Sequence, residues 1–306
     1  MAEEIVPKER STHGLAVLPR VGPGAYDSLF VLSPKKEWMS LPPSSEPSPR
    51  SVIGRCNIPS FVLAPQTFQE NPSPIEILGV RQAEGGLFEL LDSIEDPELR
   101  KEAFHDFMAV RFQIDPRRAA SKPSEKVLQK HYMHFLLGWR IDSNSRSGAV
   151  LKSWVESRFG LCTTYHSGIL ADDPAARMKY LNDKRYAEPK RITMQLDLAY
   201  TFCQYELARR LPGKRWMTLY RGTHDPEEYA VHRESAEDGS LVALNNLSSF
   251  TSDPEVAWEF GSSVWKVGIP LPKIVFFGGL LPRNWLESEK EYLVLGGEYR
   301  VKKLLY

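Results

Sequence analysis

Near its end the chain reads ESEKEYLVLGGEYRV, with Glu287, Glu289 and Glu291 at alternate positions ahead of an apolar run. In a β-strand alternate side chains share a face, so the carboxylates would stand side by side. Like charges that close repel, and burying them unpaired is costly. A solvated edge strand, protected from aggregation by its charges, is one reading; a site that uses paired carboxylates is the other. Two upstream stretches bear on the choice. In YRGT, Arg221 falls within a strand pattern, where a guanidinium is costly unless its planar fork meets an anion such as phosphate. An edge arginine paired with a surface carboxylate would explain it equally well. In LSSFTSDPEVAWEFGS, Thr251, Ser252 and Asp253 are ordinary helix-start residues, but Ser249 sits too far upstream to cap that helix.

Arg221 to Ser249 spans 28 residues and Ser249 to Glu291 spans 42, so the three fall on different strands. Arginine, serine and glutamate in this order resemble the mono-ADP-ribosyltransferase superfamily, R-S-E class. The resemblance covers roughly Trp216 to Tyr306. It implies a cavity for NAD, used as co-substrate, in which Arg221 holds the diphosphate and the Gly222 backbone meets the nicotinamide amide. Ser249 would support the catalytic Glu291, with Phe250 and Thr251 completing the hydroxyl motif and Phe250 lining the nicotinamide pocket. S-F-T departs from the family's S-T-S at its middle position. Glu289 and Glu291 fit its E-x-E signature, with Glu289 receiving a target arginine; a Glu287/Glu289 frame fits the spacing too, but Glu291 directly abuts the apolar strand.

The chemistry explains the carboxylates. Cleaving a glycosidic bond develops positive charge on the ribose carbon, and a carboxylate at the ribose 2′-hydroxyl stabilises that charge as it forms. A second carboxylate on the same face can orient an incoming guanidinium and help remove its proton. Further upstream, CNIPSFVLAPQTF, PIEILGVRQAEGGLFELLD, FHDFMAVRFQID and DSNSRSGAVLKSWVESRFGL are similar to the dinitrogenase reductase ADP-ribosyltransferases of nitrogen-fixing bacteria. That similarity implies the nitrogenase iron protein (dinitrogenase reductase) as substrate, with its inactivation as the outcome, and a PII signalling protein as regulator. A catalytically silent NAD-sensing or partner-binding module, or an arginine-specific toxin on the same fold, are the alternatives.

These residues need elements to hold them. Residues 1–60, with LPPSSEPSPR, read as an irregular segment. Residues 61–212 read as mostly helical. DPELRKEAFHDFMAVRF has Asp96 as N-cap, Pro97 at the first position, and Leu99, Ala103, Phe104, Phe107 and Met108 on an apolar face. GAVLKSWVESRFG places Val150, Leu151, Trp154, Val155 and Phe159 on one side and stops at Gly160. RITMQLDLAYTFCQYELARRL does likewise through Met194, Leu198, Ala199, Phe202, Cys203 and Leu207. Residues 213–306 read as strands, WMTLYRGT, ALNNLSSFTS, VWKVGIPL, KIVFFGG and EYLVLGGEYRVKKLLY. One helix interrupts them, with Asp253 as N-cap, Pro254 first, and Val256, Ala257 and Phe260 on its buried side. The expected class is α+β, a helical part packed on a small mixed β core of the ADP-ribosyltransferase fold, with 61–306 as one unit.

The 306 residues are 42% hydrophobic and 25% charged, an ordinary globular composition. Lys+Arg 39 against Asp+Glu 39 gives no global field toward nucleic acid. Cys56, Cys162 and Cys203 lack zinc or disulfide spacing. His131 and His134 lie one helical turn apart with no third ligand placed by the sequence, so they read as a helix surface and no metal is expected. VGPGAYD lacks the context of a Rossmann fingerprint. No leader or membrane span is evident, and a cytoplasmic location is expected.

Overall fold

Helix boundaries follow local chemistry. The computed structural model describes residues 54–114, 131–187, 189–224, 230–233, 239–280 and 290–304. Short helices come first, α1 (Ser60–Leu63), α2 (Gln66–Glu70), α3 (Val80–Ala83) and α4 (Gly85–Asp92). They are followed by α5 (Pro97–Arg111), where the Asp96 carboxylate accepts from the backbone N–H of Glu98 and Leu99 and Pro97 opens the helix, satisfying donors that would otherwise lack partners. Next come α6 (Tyr132–Ile141) and α7 (Arg146–Phe159), the latter capped by Ser145 and ended by left-handed Gly160, φ 68°. The helical part closes with α8 (Pro174–Asp183) and α9 (Pro189–Arg210).

Strands then dominate: β1 (Trp216–Thr223), β2 (Ala230–Arg233), β3 (Ser240–Thr251), β4 (Ser263–Pro270), β5 (Ile274–Phe277) and β6 (Glu291–Leu304), with α10 (Pro254–Glu259) between β3 and β4. The architecture is α+β. The sheet order is β2-β3-β1-β4-β6-β5, with β3 also paired to β6. The core expected to be mixed is antiparallel at every described pairing. The long strand β6 serves three neighbours: β3 along most of its length, β5 near its start and β4 near its end. The β3–β6 register slips between Leu244 and Leu247. Asn245 and Asn246 sit at that irregularity, both buried. Asn245 bonds Thr164 and Tyr165, and Asn246 donates to the carbonyls of Lys152 and Leu161. A bulge frees backbone and side chains from the ladder, and here they fasten the helical part to the sheet.

One apolar core runs through both parts, from Phe104, Trp154, Leu198 and Phe202 of the helices to Leu219, Leu247, Ile269 and Leu295 of the strands. The described residues belong to one compact unit, Ser48–Tyr306. Two buried arginines cross-link the helices. Arg158 of α7 meets Asp197 of α9 bidentately at 2.7–3.0 Å, and Trp154 Nε1 donates to the same carboxylate. Arg100 of α5 meets Glu206 of α9 in the same way. Removing one member of such a pair costs about 3–5 kcal/mol, because the other charge is left buried and uncompensated.

Several expected apolar faces are rotated by this packing. Leu99 is 55% exposed, since the buried side of the first turn of α5 is given to Arg100 and Lys101. Met194 is 38% exposed. The remaining anticipated residues of α7 and α9 are buried. His131 is not on a helix surface: it is buried, its Nδ1 accepts from the Met133 N–H as the N-cap of α6, and burial pulls the imidazole down to about 4. Among the described residues, no helix is long and apolar enough to cross a membrane.

Candidate active site

The strand register brings the candidate residues to one place. Thr251, the last residue of β3, lies opposite Tyr220 of β1 on one side and Glu291 of β6 on the other. Ser249 and Thr251 are two apart on β3, so they share a face with Glu291. Arg221 follows Tyr220 on β1. Ser249 Oγ donates to Glu291 Oε1 at 2.7 Å, and Arg221 Nη1 donates to the Ser249 carbonyl at 2.7 Å. All three are half-buried, wet enough to meet a ligand and confined enough to hold their geometry.

A cavity of about 360 Å³ opens over this cluster, walled by Trp139, Tyr220, Arg221, Ser249, Phe260 and Glu291 among others. Gly222, Phe250 and Thr251 also reach it. Phe250 is 3% exposed and part of the apolar core, meeting the cavity only at its margin. Thr251 is buried, and its Oγ1 accepts from the Asp253 N–H. Gly222 has a packing reason of its own: a Cβ there would stand 2.0 Å from the Ala257 carbonyl oxygen of α10. Glycine lets β1 and α10 close one end of the cavity. Asp253 caps α10 as expected, and its carboxylate meets Lys290 at 3.2 Å, which holds it below the usual carboxylate range. That contact ties the start of β6 to the start of α10. Glu287 and Glu289 lie outside the described residues.

Chemically the cavity pairs opposite functions. A guanidinium suits an anion, and a carboxylate held by a hydroxyl suits developing positive charge. Aromatic side chains of Tyr220 and Phe260 on its wall suit a flat ring. No group of three or more potential metal ligands occurs among the described residues.

Comparisons with known proteins bear on the family. Residues 53–303 match the family described as dinitrogenase reductase ADP-ribosyltransferase (DRAT). The chain belongs to this family. A protein of Rhodospirillum rubrum named NAD(+)--dinitrogen-reductase ADP-D-ribosyltransferase is 39% identical over 253 residues, which is 80% of this chain and 92% of that protein. No solved structure matches.

Some of the cavity of this DRAT-family chain was not legible from sequence. Trp139 through Ser143, at the end of α6, form one wall, although nothing in HYMHFLLGWRID distinguishes a site residue from a core residue. Gly138 explains the approach, since a Cβ there would meet Ser147 of α7 at 2.4 Å. Phe260, expected on the buried side of its helix, is 55% exposed. The short α10 ends before it, and the ring is left at the cavity. A larger cavity, about 570 Å³, lies elsewhere between Pro72–Gly79 and the last turns of α9. Its rim carries Arg81, Arg209, Lys214 and Arg215, and the carboxylate there, Asp92, accepts from the Tyr205 hydroxyl and already pairs with Arg209 at 3.3 Å. The smaller cavity, where Arg221, Ser249 and Glu291 meet on three strands, is the candidate active site.

Proposed function

We propose that this protein is an NAD-dependent, arginine-specific mono-ADP-ribosyltransferase that modifies and inactivates dinitrogenase reductase. The observation that carries the reading is the Ser249–Glu291 hydrogen bond beside Arg221 in one cavity, in a chain of the DRAT family. NAD supplies an activated glycosidic bond to nicotinamide, and the residues present fit its charges. Arg221 binds the diphosphate. The Gly222 backbone meets the nicotinamide amide, with Phe250 and Thr251 shaping that end. Glu291, held by Ser249, faces the positive charge that develops at the ribose carbon. Glu289, two residues earlier on the same strand pattern, orients the incoming guanidinium and draws off its proton. Family resemblance supports a PII signalling protein as regulator and a cytoplasmic setting.

The test is incubation with labelled NAD and the iron protein. Wild-type protein should label an arginine of the iron protein. Glu291→Gln should fold normally while losing transfer and NAD hydrolysis by about 2–4 kcal/mol of barrier. Glu289→Gln should lose arginine transfer but keep slow NAD hydrolysis, because water needs no guanidinium clamp. Wild-type protein that labels nothing would point to a silent NAD-sensing module.

A further inference from the structure

We infer that Trp139 is a positioning residue that fixes the Ser249 hydroxyl on Glu291, so that the helical part of the molecule sets the geometry of the catalytic carboxylate. The inference rests on the active-site reading above. It begins from two contacts: Trp139 Nε1 donates to Ser249 Oγ at 2.8 Å, and Ser249 Oγ donates to Glu291 Oε1 at 2.7 Å.

The chemistry of the groups fixes the direction of this chain. An indole N–H donates and cannot accept, whereas a serine hydroxyl has one proton to give and lone pairs to receive. With its oxygen occupied by the indole, the hydroxyl turns its only proton to the carboxylate. A hydroxyl that accepts one hydrogen bond also donates a stronger one, because successive bonds polarise each other. Without the indole, the hydroxyl could rotate among other acceptors and Glu291 would lose a fixed partner.

The surroundings make the indole a rigid donor. Trp139 is 3% exposed. The ammonium of Lys152 stands 5.7 Å from its ring centroid, and a cation over an indole face withdraws density from the ring and its N–H. Lys152 is in turn held by Asn144 Oδ1 at 3.2 Å and the Tyr165 carbonyl at 2.9 Å. The Ser249 main chain is held separately by Arg221. The hydroxyl is therefore clamped from two directions, by a strand arginine through its backbone and by a helix tryptophan through its side chain.

The experiment uses the full chain and two variants that remove the donor. Trp139→Phe keeps an aromatic ring, and genetically encoded 3-benzothienylalanine at 139 keeps the bicyclic shape with sulfur in place of N–H. Both should lower kcat for NAD cleavage about tenfold, less than the 10²–10³ typical of a donor that touches the reacting atoms, with KM for NAD unchanged. In a Ser249→Ala background Trp139→Phe should have no further effect, because the relay is already broken; a merely structural role would give additive losses. Separately, with ¹⁵N-tryptophan labelling, Ser249→Ala should shift the Trp139 indole signal and speed its exchange. Wild-type kcat in both donor-free variants, while Glu291→Gln stays inactive, would overturn the positioning role. An unmoved indole signal would overturn the hydrogen bond itself. If wild-type protein cleaves no NAD, the functional reading fails, and the indole signal still decides whether Trp139 fixes the hydroxyl.

Discussion

Arg221 acts at two points that a sequence pattern cannot separate. Its Nη1 holds the Ser249 carbonyl, and the same side chain lines the cavity. A guanidinium can serve both ends because it presents five donors in one plane, whereas an ammonium is a point charge. Arg221→Lys is therefore expected to weaken NAD binding about tenfold, the loss of one charge-assisted hydrogen bond. It should also lower turnover, because the β3 carbonyl is released. Calorimetry with NAD checks the first effect, and unchanged affinity would return Arg221 to a purely structural role. Glu291 contrasts with it: its partner Ser249 lies on a neighbouring strand, so its position depends on register rather than on its own backbone.

At the scale of elements, the cavity exists because α10 can lie against the end of β1. Gly222 makes that possible on one side. On the other, Gly261 stands where a Cβ would be 2.1 Å from the Thr223 N. Close approach is the use of glycine here, and any side chain must push the backbone apart. Gly222→Ala is expected to destabilise the protein by about 1–3 kcal/mol, the usual cost of overpacking, and to displace α10 with its cavity residue Phe260. Thermal denaturation together with NAD affinity checks this. A variant with wild-type Tm and affinity would show that β1 and α10 part without cost. Helix α6 is the counterpart on the opposite wall, carried to the sheet by its contact with α7 at Gly138.

Over the whole molecule, buried charge joins the layers. Lys273, between β4 and β5, is fully buried, donates to the Gly296 carbonyl at 3.1 Å and lies under the rings of Phe68 and Tyr299. Burial pulls its ammonium down from 10.5 to about 7, against a smaller opposing effect of Glu298. The unfolded chain restores an ordinary lysine, so between these two values it holds more protons than the native state. Stability from this group therefore rises with pH from about 7 toward 10.5, by up to about 1.4 kcal/mol per pH unit. Lys273→Met removes the effect. In urea denaturation at pH 7, 8 and 9, wild type should gain stability relative to that variant; parallel pH dependences would show that the lysine stays charged when buried.

Local chemistry alone determined the helix ends at Asp96-Pro97, Asp253-Pro254 and Gly160, because caps and left-handed turns are satisfied within a few residues of backbone. The spans of β1, β3, β4, β5 and β6 were legible for the same reason, since alternation and turn residues are short-range signals. Of the candidate site, Arg221, Ser249 and Glu291 were marked by their order's resemblance to the R-S-E class, while their residue types alone left edge-strand readings open. Tertiary structure decided the rest. Burial of Arg100 in place of Leu99 depends on Glu206, 106 residues away, and exposure of Phe260 depends on where α10 ends against the sheet. The antiparallel register makes Thr251 a neighbour of both Tyr220 and Glu291. Trp139 reaches Ser249 across 110 residues of chain. Such partners have no local signature: a side chain's periodicity says which way it points from its own element, and only the packing of elements says what it meets.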